Sequence, residues 1–236
     1  MKKQFAILVL LLVCVIQTSM YAQTTRNAST YAQLTAANTA SVDGDIINIT
    51  NNIVVSAQLT ISSSLTINGN SFTISVPVPG LDDMGRFNVS ASAWRVFEFN
   101  GAGKSVVINN LTIKGGNITS AGGAICVSST LATLTLNRCT VSNSRTSTFV
   151  GGGGIYNKGV LFINASYISR NSAEYGGGIL NDGGKAYLES CTMVENRATS
   201  SNGAGGAVEN KSAGIMYFNN STLSNNQSLV YGGAIK

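Results

Sequence analysis

The chain has 236 residues, of which only 11% are Asp, Glu, Lys or Arg, against roughly 25% in an average soluble domain. This composition excludes a coiled coil or a charged disordered tail, while the 44% of hydrophobic residues are enough for one sizeable core. Histidine is absent, which excludes Ser-His-Asp triads, Cys-His nucleophiles and histidine-based metal sites. The net charge of +5 is spread without a basic cluster, so we expect no nucleic-acid partner.

Residues 1–22 are predicted to be a secretory signal peptide. Two lysines follow the initial methionine, residues 5–16 are apolar throughout, and the small residue Ala22 precedes the expected cleavage point. The apolar run is too short to span a bilayer comfortably, and no longer run follows, so we expect no transmembrane segment. A lipoprotein anchor at Cys14 is the alternative, although bulky residues precede that cysteine. The sequence thus predicts a secreted protein that is extracellular or lies on the outer cell surface.

Residues 23–105 are predicted to hold an N-terminal cap and the first coils of a solenoid, with a projecting loop at about residues 77–92. Both prolines of the chain lie in or at the edge of this loop, and proline is typical of such connections. Residues 95–99 alternate between polar and apolar side chains, which indicates a short strand of the next coil.

Residues 106–236 are a repeat region. A glycine motif of the form Gly-Gly-(Ala or Gly)-(Ile or Val) recurs five times, and its closing residues lie 30, 24, 29 and 27 positions apart. A second motif has fixed internal spacing: an apolar residue, two spacers, a small residue, one spacer, an apolar residue, two spacers, and Asn or Ser. The glycine motifs occupy 122–125, 152–155, 176–179, 205–208 and 232–235, and the second motif begins at Leu136, Ile163, Leu188 and Phe218.

The repeat predicts an all-β, single-stranded parallel β-helix of about seven coils. Apolar residues alternate with a period of two inside each unit, which is typical of short strands with one buried face. A unit of about 27 residues cannot close a core alone, so each unit must stack on its neighbours. Helix caps and helical periodicity are absent from the pattern. Equivalent residues should then form buried columns: Leu136, Ile163, Leu188 and Phe218 in one, and Val141, Ile168, Met193 and Leu223 in another.

Two columns of asparagine are expected at the bends between strands. Their amides can bond to one another and satisfy backbone groups. A glycan or calcium ladder is the competing interpretation, but a calcium solenoid would repeat aspartates, and the repeat region contains only Asp182. We therefore expect a structural role, with no metal and no cofactor. The columns are Asn171, Asn196 and Asn226 in one, and Asn157, Asn181 and Asn210 in the other.

The repeat-region cysteines are predicted to be free, largely buried thiols. Cys139 and Cys191 occupy the same slot two coils apart, which places them about 9 to 10 Å from each other, beyond the reach of a disulfide. Cys126 lies in a different slot, so the sequence leaves a bond between Cys126 and Cys139 open.

The alternation of the glycine motif with an apolar-x-x-Asn tetrapeptide resembles the repeat of the polymorphic outer membrane proteins of chlamydiae and related bacterial surface proteins. That family has Phe-x-x-Asn, whereas here Ile168, Met193 and Leu223 take the place of phenylalanine, and the copy at 141–144 departs at both ends. The resemblance covers about residues 106–236, and segments 43–47 and 65–69 are similar to the first coils of such exported solenoids. It implies a right-handed β-helix that is secreted or displayed as an adhesive passenger.

An enzyme of the same fold is the rival hypothesis. Polysaccharide lyases and hydrolases need two carboxylates at a defined separation, or an acidic calcium cluster beside a basic residue. Asp82, Asp83 and Arg86 are the one grouping of this kind that the sequence offers. We interpret them as a solvated loop, and we expect a binding protein whose partner is an extracellular protein or a glycan.

The last glycine motif is followed by Lys236 alone. This predicts an incomplete last coil, a reading frame that continues, and self-association through the open end.

Overall fold

A computed structural model describes residues 22–77, 94–146, 151–201, 204–230 and 232–236. The predicted signal peptide, apart from Ala22, lies outside the described residues. So do most of the predicted loop and the three candidate catalytic residues Asp82, Asp83 and Arg86.

The described strands form four sheets in which every paired neighbour is parallel. Sheet I has eight strands: β1 Thr25–Ala28, β2 Asp45–Ile49, β5 Leu65–Asn68, β8 Ser105–Asn109, β12 Thr133–Asn137, β16 Val160–Asn164, β20 Lys185–Glu189 and β24 Ile215–Asn219. Sheet II has seven: β3 Ile53–Val54, β6 Thr73–Ser75, β9 Thr112–Lys114, β13 Thr140–Ser142, β17 Tyr167–Ser169, β21 Thr192–Val194 and β25 Thr222–Ser224.

The other two sheets complete each coil. Sheet III has five described strands: β10 Asn117–Ile118, β14 Arg145–Thr146, β18 Ser172–Ala173, β22 Arg197–Ala198 and β26 Gln227–Ser228. Sheet IV has six: β4 Leu59–Ile61, β7 Phe97–Phe99, β11 Ile125–Val127, β15 Ile155–Asn157, β19 Ile179–Asp182 and β23 Val208–Lys211. In the repeat region the chain passes through sheets IV, I, II and III in turn before it starts the next coil.

The predicted columns are confirmed by the register of the strands. Leu136 pairs with Ile163, Ile163 with Leu188, and Leu188 with Phe218. In sheet II, Val141, Ile168, Met193 and Leu223 pair in the same order. The first three members of each column are buried in one continuous apolar core. The protein is therefore a parallel β-solenoid, as the spacing predicts.

Two finer features stay predictions. The first is the count of about seven coils, since residues 78–93, between β6 and β7, lie outside the described residues. The right-handed sense rests on the general preference of parallel crossover connections.

One helix, α1 (Tyr31–Thr39), lies before the repeat region, in the part of the chain that is predicted to hold the N-terminal cap. The Thr30 hydroxyl accepts a hydrogen bond from the Gln33 backbone N–H and caps the first turn. Leu34 and Ala37 are buried, and the helix packs against β1 and β2. No helix in the described part of the chain is long and apolar enough to cross a membrane.

The sharp bend between sheets I and II uses left-handed backbone conformations. Asn110, Arg138, Ala165, Ser190 and Asn220 all have positive φ values, from 46° to 56°. Such a conformation costs an L-residue about 1 to 2 kcal/mol, and asparagine tolerates it best after glycine.

The glycine motif allows neighbouring coils to approach closely. A Cβ on Gly177 would lie 2.4 Å from the Gly206 carbonyl oxygen, so a larger residue would not fit there.

Candidate binding surface

The outward side chains of sheet I form an extended surface that we call the ladder face. Strand side chains alternate between core and solvent, and in β8, β12, β16, β20 and β24 the outward positions are half-buried or exposed. Besides a column at the start of the strands (Ser105, Thr133, Val160, Lys185 and Ile215), the surface contains two further parallel columns. The first contains Thr66, Val107, Thr135, Phe162, Tyr187 and Tyr217, and the second contains Asn27, Asn48, Asn68, Asn109, Asn137, Asn164, Glu189 and Asn219.

The second column is an outer asparagine ladder that the sequence reasoning missed. Each side-chain amide donates to the carbonyl oxygen of the preceding coil, in the N-terminal direction. The distances are 3.3 Å from Asn48 to Asn27, 3.0 Å from Asn68 to Asn48, 3.1 Å from Asn109 to Asn68, and 2.9 Å both from Asn137 to Asn109 and from Asn164 to Asn137. A signal was present, because β5, β8, β12 and β16 each end with asparagine after an alternating apolar segment.

Glu189 breaks the outer ladder. It lies opposite Asn164 and Asn219 in the register of sheet I. Its carboxylate accepts a hydrogen bond from Asn219 Nδ2 at 2.6 Å, but a carboxylate has no proton to donate to Asn164. Among the described residues, Asn164 Oδ1 receives no hydrogen bond, whereas the carbonyl oxygens of the five ladder members before it each accept one.

An aromatic stack lies beside this break. The rings of Phe162 and Tyr187 stack with centroids 5.0 Å apart and planes 14° from parallel, and those of Tyr187 and Tyr217 with centroids 5.1 Å apart and planes 9° from parallel. Because the ring faces are turned to each other, the stack presents mainly ring edges and tyrosine hydroxyls to solvent. Tyr217 is 56% exposed.

The two predicted asparagine columns are confirmed as interior ladders. Asn171 Nδ2 donates to Asn196 Oδ1 at 3.1 Å, and Asn196 Nδ2 donates to Asn226 Oδ1 at 3.0 Å. The second ladder links Asn157, Asn181 and Asn210 through two bonds of 2.7 Å. Asn157, Asn171, Asn181 and Asn196 are fully buried. These amides stabilise the bends, and they do not offer a surface to a ligand.

Charged side chains on the outer side of sheet IV link one coil to the next. The Asp182 carboxylate accepts hydrogen bonds from Tyr156 Oη at 2.7 Å and from Ser212 Oγ at 2.5 Å, which lie on the coils before and after it. Partial burial is the largest single influence on the pKa of Asp182 and raises it, but these two donors together with the positive charges of Lys211 and Lys158 outweigh burial and lower the pKa. Burial and the Asp182 contact raise the pKa of Tyr156.

Glu209 lies in the same sheet, but its carboxyl group is buried without a full set of hydrogen bonds. It is buried, and its Oε2 has no hydrogen-bond partner among the described residues. Burial raises its pKa, while Lys211, Lys236 and the backbone N–H groups of Gly205 and Gly176 act in the opposite direction. The ionised side chain is therefore a local source of instability.

The cysteines of the described region are free and buried, as predicted. Burial raises the pKa of the Cys126 and Cys139 thiols to about 11, so they are poor nucleophiles. No group of three or more Cys, Asp or Glu side chains arranged to hold a metal ion occurs in the part of the chain that the structure describes.

Comparison with known families gives one match. The model of the pectate lyase-like adhesive domain matches residues 25–151, which run from β1 to just beyond β14 and include most of the outer asparagine ladder. The chain belongs to this family. A search of curated proteins found no match. The narrower resemblance of this pectate lyase-like adhesive domain to the polymorphic outer membrane proteins stays a prediction.

Proposed function

We propose that this protein is an exported adhesive β-solenoid that acts at the outer cell surface or in the extracellular space and binds a glycan or a protein without turning it over. The family match carries the proposal, because the matched family is an adhesive domain. The signal-like residues 1–22 and the resemblance to displayed bacterial passengers support export.

The ladder face is the surface that we assign to binding. It extends over eight parallel strands, and each amide in its asparagine column has a second N–H and a second lone pair beyond those used in the ladder. The interior ladders are buried, and the Asp182 contacts hold coils together, so neither competes with it for this role. A long, regular surface of this kind suits an extended ligand better than a small molecule, which needs a concave pocket.

Two of the described carboxylates make contacts within the fold, which supports binding without catalysis. Asp45 accepts hydrogen bonds from the backbone N–H groups of Thr24 and Val42, and it forms an ion pair with Arg26. Glu98 is held by Arg95, Gln58 and Ser128. These contacts fix the fold, and they occupy both carboxylates.

The test measures retention and turnover together. The purified protein is applied to surfaces coated with neutral glycans, acidic glycans or extracellular matrix proteins, and the soluble phase is assayed for reducing and unsaturated ends, with and without calcium. We expect retention on at least one surface and no release of products. Release of products would show an enzyme and would direct attention to Asp82, Asp83 and Arg86.

A further inference from the structure

The outer asparagine ladder lacks a hydrogen-bond donor at its break. From Asn48 to Asn164 every amide donates towards the N-terminus. At the next position Glu189 offers acceptors only, so the half-buried Asn164 Oδ1 faces a carboxylate and has no donor in the described part of the chain. The Glu189 carboxylate already accepts from Asn219 Nδ2 and from Ser190 Oγ, so the acceptor that needs a donor is Asn164 Oδ1. A group that brings hydrogen-bond donors of its own satisfies it and can use a remaining lone pair of the carboxylate.

The charge around the break favours a neutral donor. Lys185, Tyr187 and Glu189 are the outward residues of β20, so one positive and one negative side chain flank the central tyrosine. An anionic ligand would meet the Glu189 carboxylate, and a cationic ligand would meet Lys185. A hydroxyl group, which is neutral and both donates and accepts, fits both neighbours.

The spacing of the ladder face favours a repeating ligand. Parallel strands lie about 4.8 Å apart, and the stacked rings of Phe162, Tyr187 and Tyr217 repeat at 5.0 and 5.1 Å. A hexose in an extended β-linked chain advances by a comparable distance. The hydroxyls of Tyr187 and Tyr217 have no hydrogen-bond partner among the described residues, and they provide one polar contact per coil.

We propose that the ladder face binds an extended, neutral, β-linked hexose polymer that runs along the solenoid axis, with its hydroxyls anchored between Asn164 Oδ1 and Glu189. The sugar edge lies over the groove between the aromatic column and the amide column. This assignment rests on the adhesive function proposed above and names the ligand class for it.

The decisive variant is Glu189→Asn, measured by calorimetric titration with cellohexaose and chitohexaose and by thermal unfolding. Asparagine at this position donates to Asn164 and accepts from Asn219, which completes the outer ladder. We expect the variant to melt at a higher temperature and to bind the oligosaccharide about tenfold or more weakly, the loss expected for one hydrogen bond to a charged group. A purely structural role for Glu189 would change the melting temperature and leave the affinity unchanged.

Two further variants test whether the effect is specific to the ladder face. Glu174→Gln makes the same change from carboxylate to amide away from the ladder face, and we expect unchanged affinity. Tyr187→Ala interrupts the aromatic stack, and we expect weaker binding even where the melting temperature is retained. Equal affinity of the parent protein and Glu189→Asn for both oligosaccharides would overturn the proposal, as would tighter binding of an oligogalacturonate than of the neutral chains.

The surface-retention assay separates this proposal from the general one. Retention on protein-coated surfaces only, undiminished by Glu189→Asn, would leave adhesion standing and refute the glycan site. Absence of retention on every surface would refute the adhesive function itself.

Discussion

The backbone N–H of Cys139 donates to the Ser166 hydroxyl, one coil further on, at 2.9 Å. The same relationship joins Cys191 to Ser221 at 3.1 Å. The Ser166 hydroxyl in turn donates to the backbone carbonyl oxygen of Asn164 at 2.8 Å. Serine and cysteine therefore alternate in one buried column because both fit the space, while the hydroxyl makes the stronger bonds.

This column predicts different outcomes for two small substitutions. Ser166→Ala leaves the buried N–H of Cys139 without a partner and should lower the free energy of unfolding by about 1 to 3 kcal/mol. Cys139→Ser keeps the size of the side chain and adds a better hydrogen-bonding group, so we expect a change of less than about 1 kcal/mol. Urea denaturation of both variants checks the prediction, and equal losses would contradict it.

Asn196→Leu should be strongly destabilising. Asn196 Oδ1 accepts from both the backbone N–H and the amide of Asn171, and its Nδ2 donates to the Ile168 carbonyl at 2.9 Å. Leucine would leave these buried groups unpaired, so we expect a loss of about 3 kcal/mol or more in the free energy of unfolding. As a control, Asn219→Ala removes one exposed bond and should cost less than about 1 kcal/mol. Similar values for the two variants would argue against the interior ladder as a source of stability.

Ala165→Gly should stabilise the protein. Ala165 has a φ of 46°, which costs an L-residue about 1 to 2 kcal/mol, whereas glycine adopts this conformation freely and loses roughly 0.5 to 1 kcal/mol in backbone entropy. We expect a gain of up to about 1 kcal/mol, and a loss for Ala165→Val. The melting temperatures of the two variants should therefore fall on opposite sides of that of the parent.

Asp45 should make the N-terminal coils sensitive to acid. Hydrogen bonds from the Thr24 and Val42 backbone N–H groups, with the Arg26 ion pair, lower the pKa of Asp45. A lowered pKa means that the stabilisation is present above the unfolded value of about 3.9 and is lost as the pH falls through the folded value. Melting curves from pH 7 to pH 2 should show this loss, and Asp45→Asn should be less stable at neutral pH with a shallower decline in acid. A variant that kept the full acid dependence would exclude Asp45 as its origin.

Glu209 should have the opposite pH dependence. Its pKa is raised by burial, so its contribution is most favourable below the unfolded value of about 4.3 and is lost as the pH rises through the folded value. We expect Glu209→Gln to raise the melting temperature at pH 7 and to make little difference at pH 4. Destabilisation at pH 7 would mean that the attraction of Lys211 and Lys236 outweighs the burial of the charge.

The sequence was most informative where spacing alone determines the structure. The fixed spacing inside the motif, in which Ile163, Leu188 and Phe218 hold the same position, was enough to predict their register, since parallel coils place equivalent residues side by side. The interior amides were predictable for the same reason. Helix α1 was not, because its buried face consists of only Leu34 and Ala37, too few residues to form a periodic pattern.

The candidate surface was harder to predict for a physical reason. Asn137 and Asn171 are both asparagines at the ends of strands, yet one is outward and half-buried and the other is fully buried. Their roles depend on how the chain turns after the strand, which the residue type does not specify. The break at Glu189 becomes visible only when the carboxylate is known to lie between Asn164 and Asn219.

The orientation of the coils has a mechanical consequence. Because the strands run across the solenoid, the hydrogen bonds between coils point along its axis, and a pull along that axis loads the outermost coil before the others. Coils should then detach one at a time. Each releases about 27 residues, or roughly 90 Å of extended chain. An adhesive molecule built in this way would lengthen stepwise under load and dissipate work, with the N-terminal or C-terminal coil acting as the first to yield.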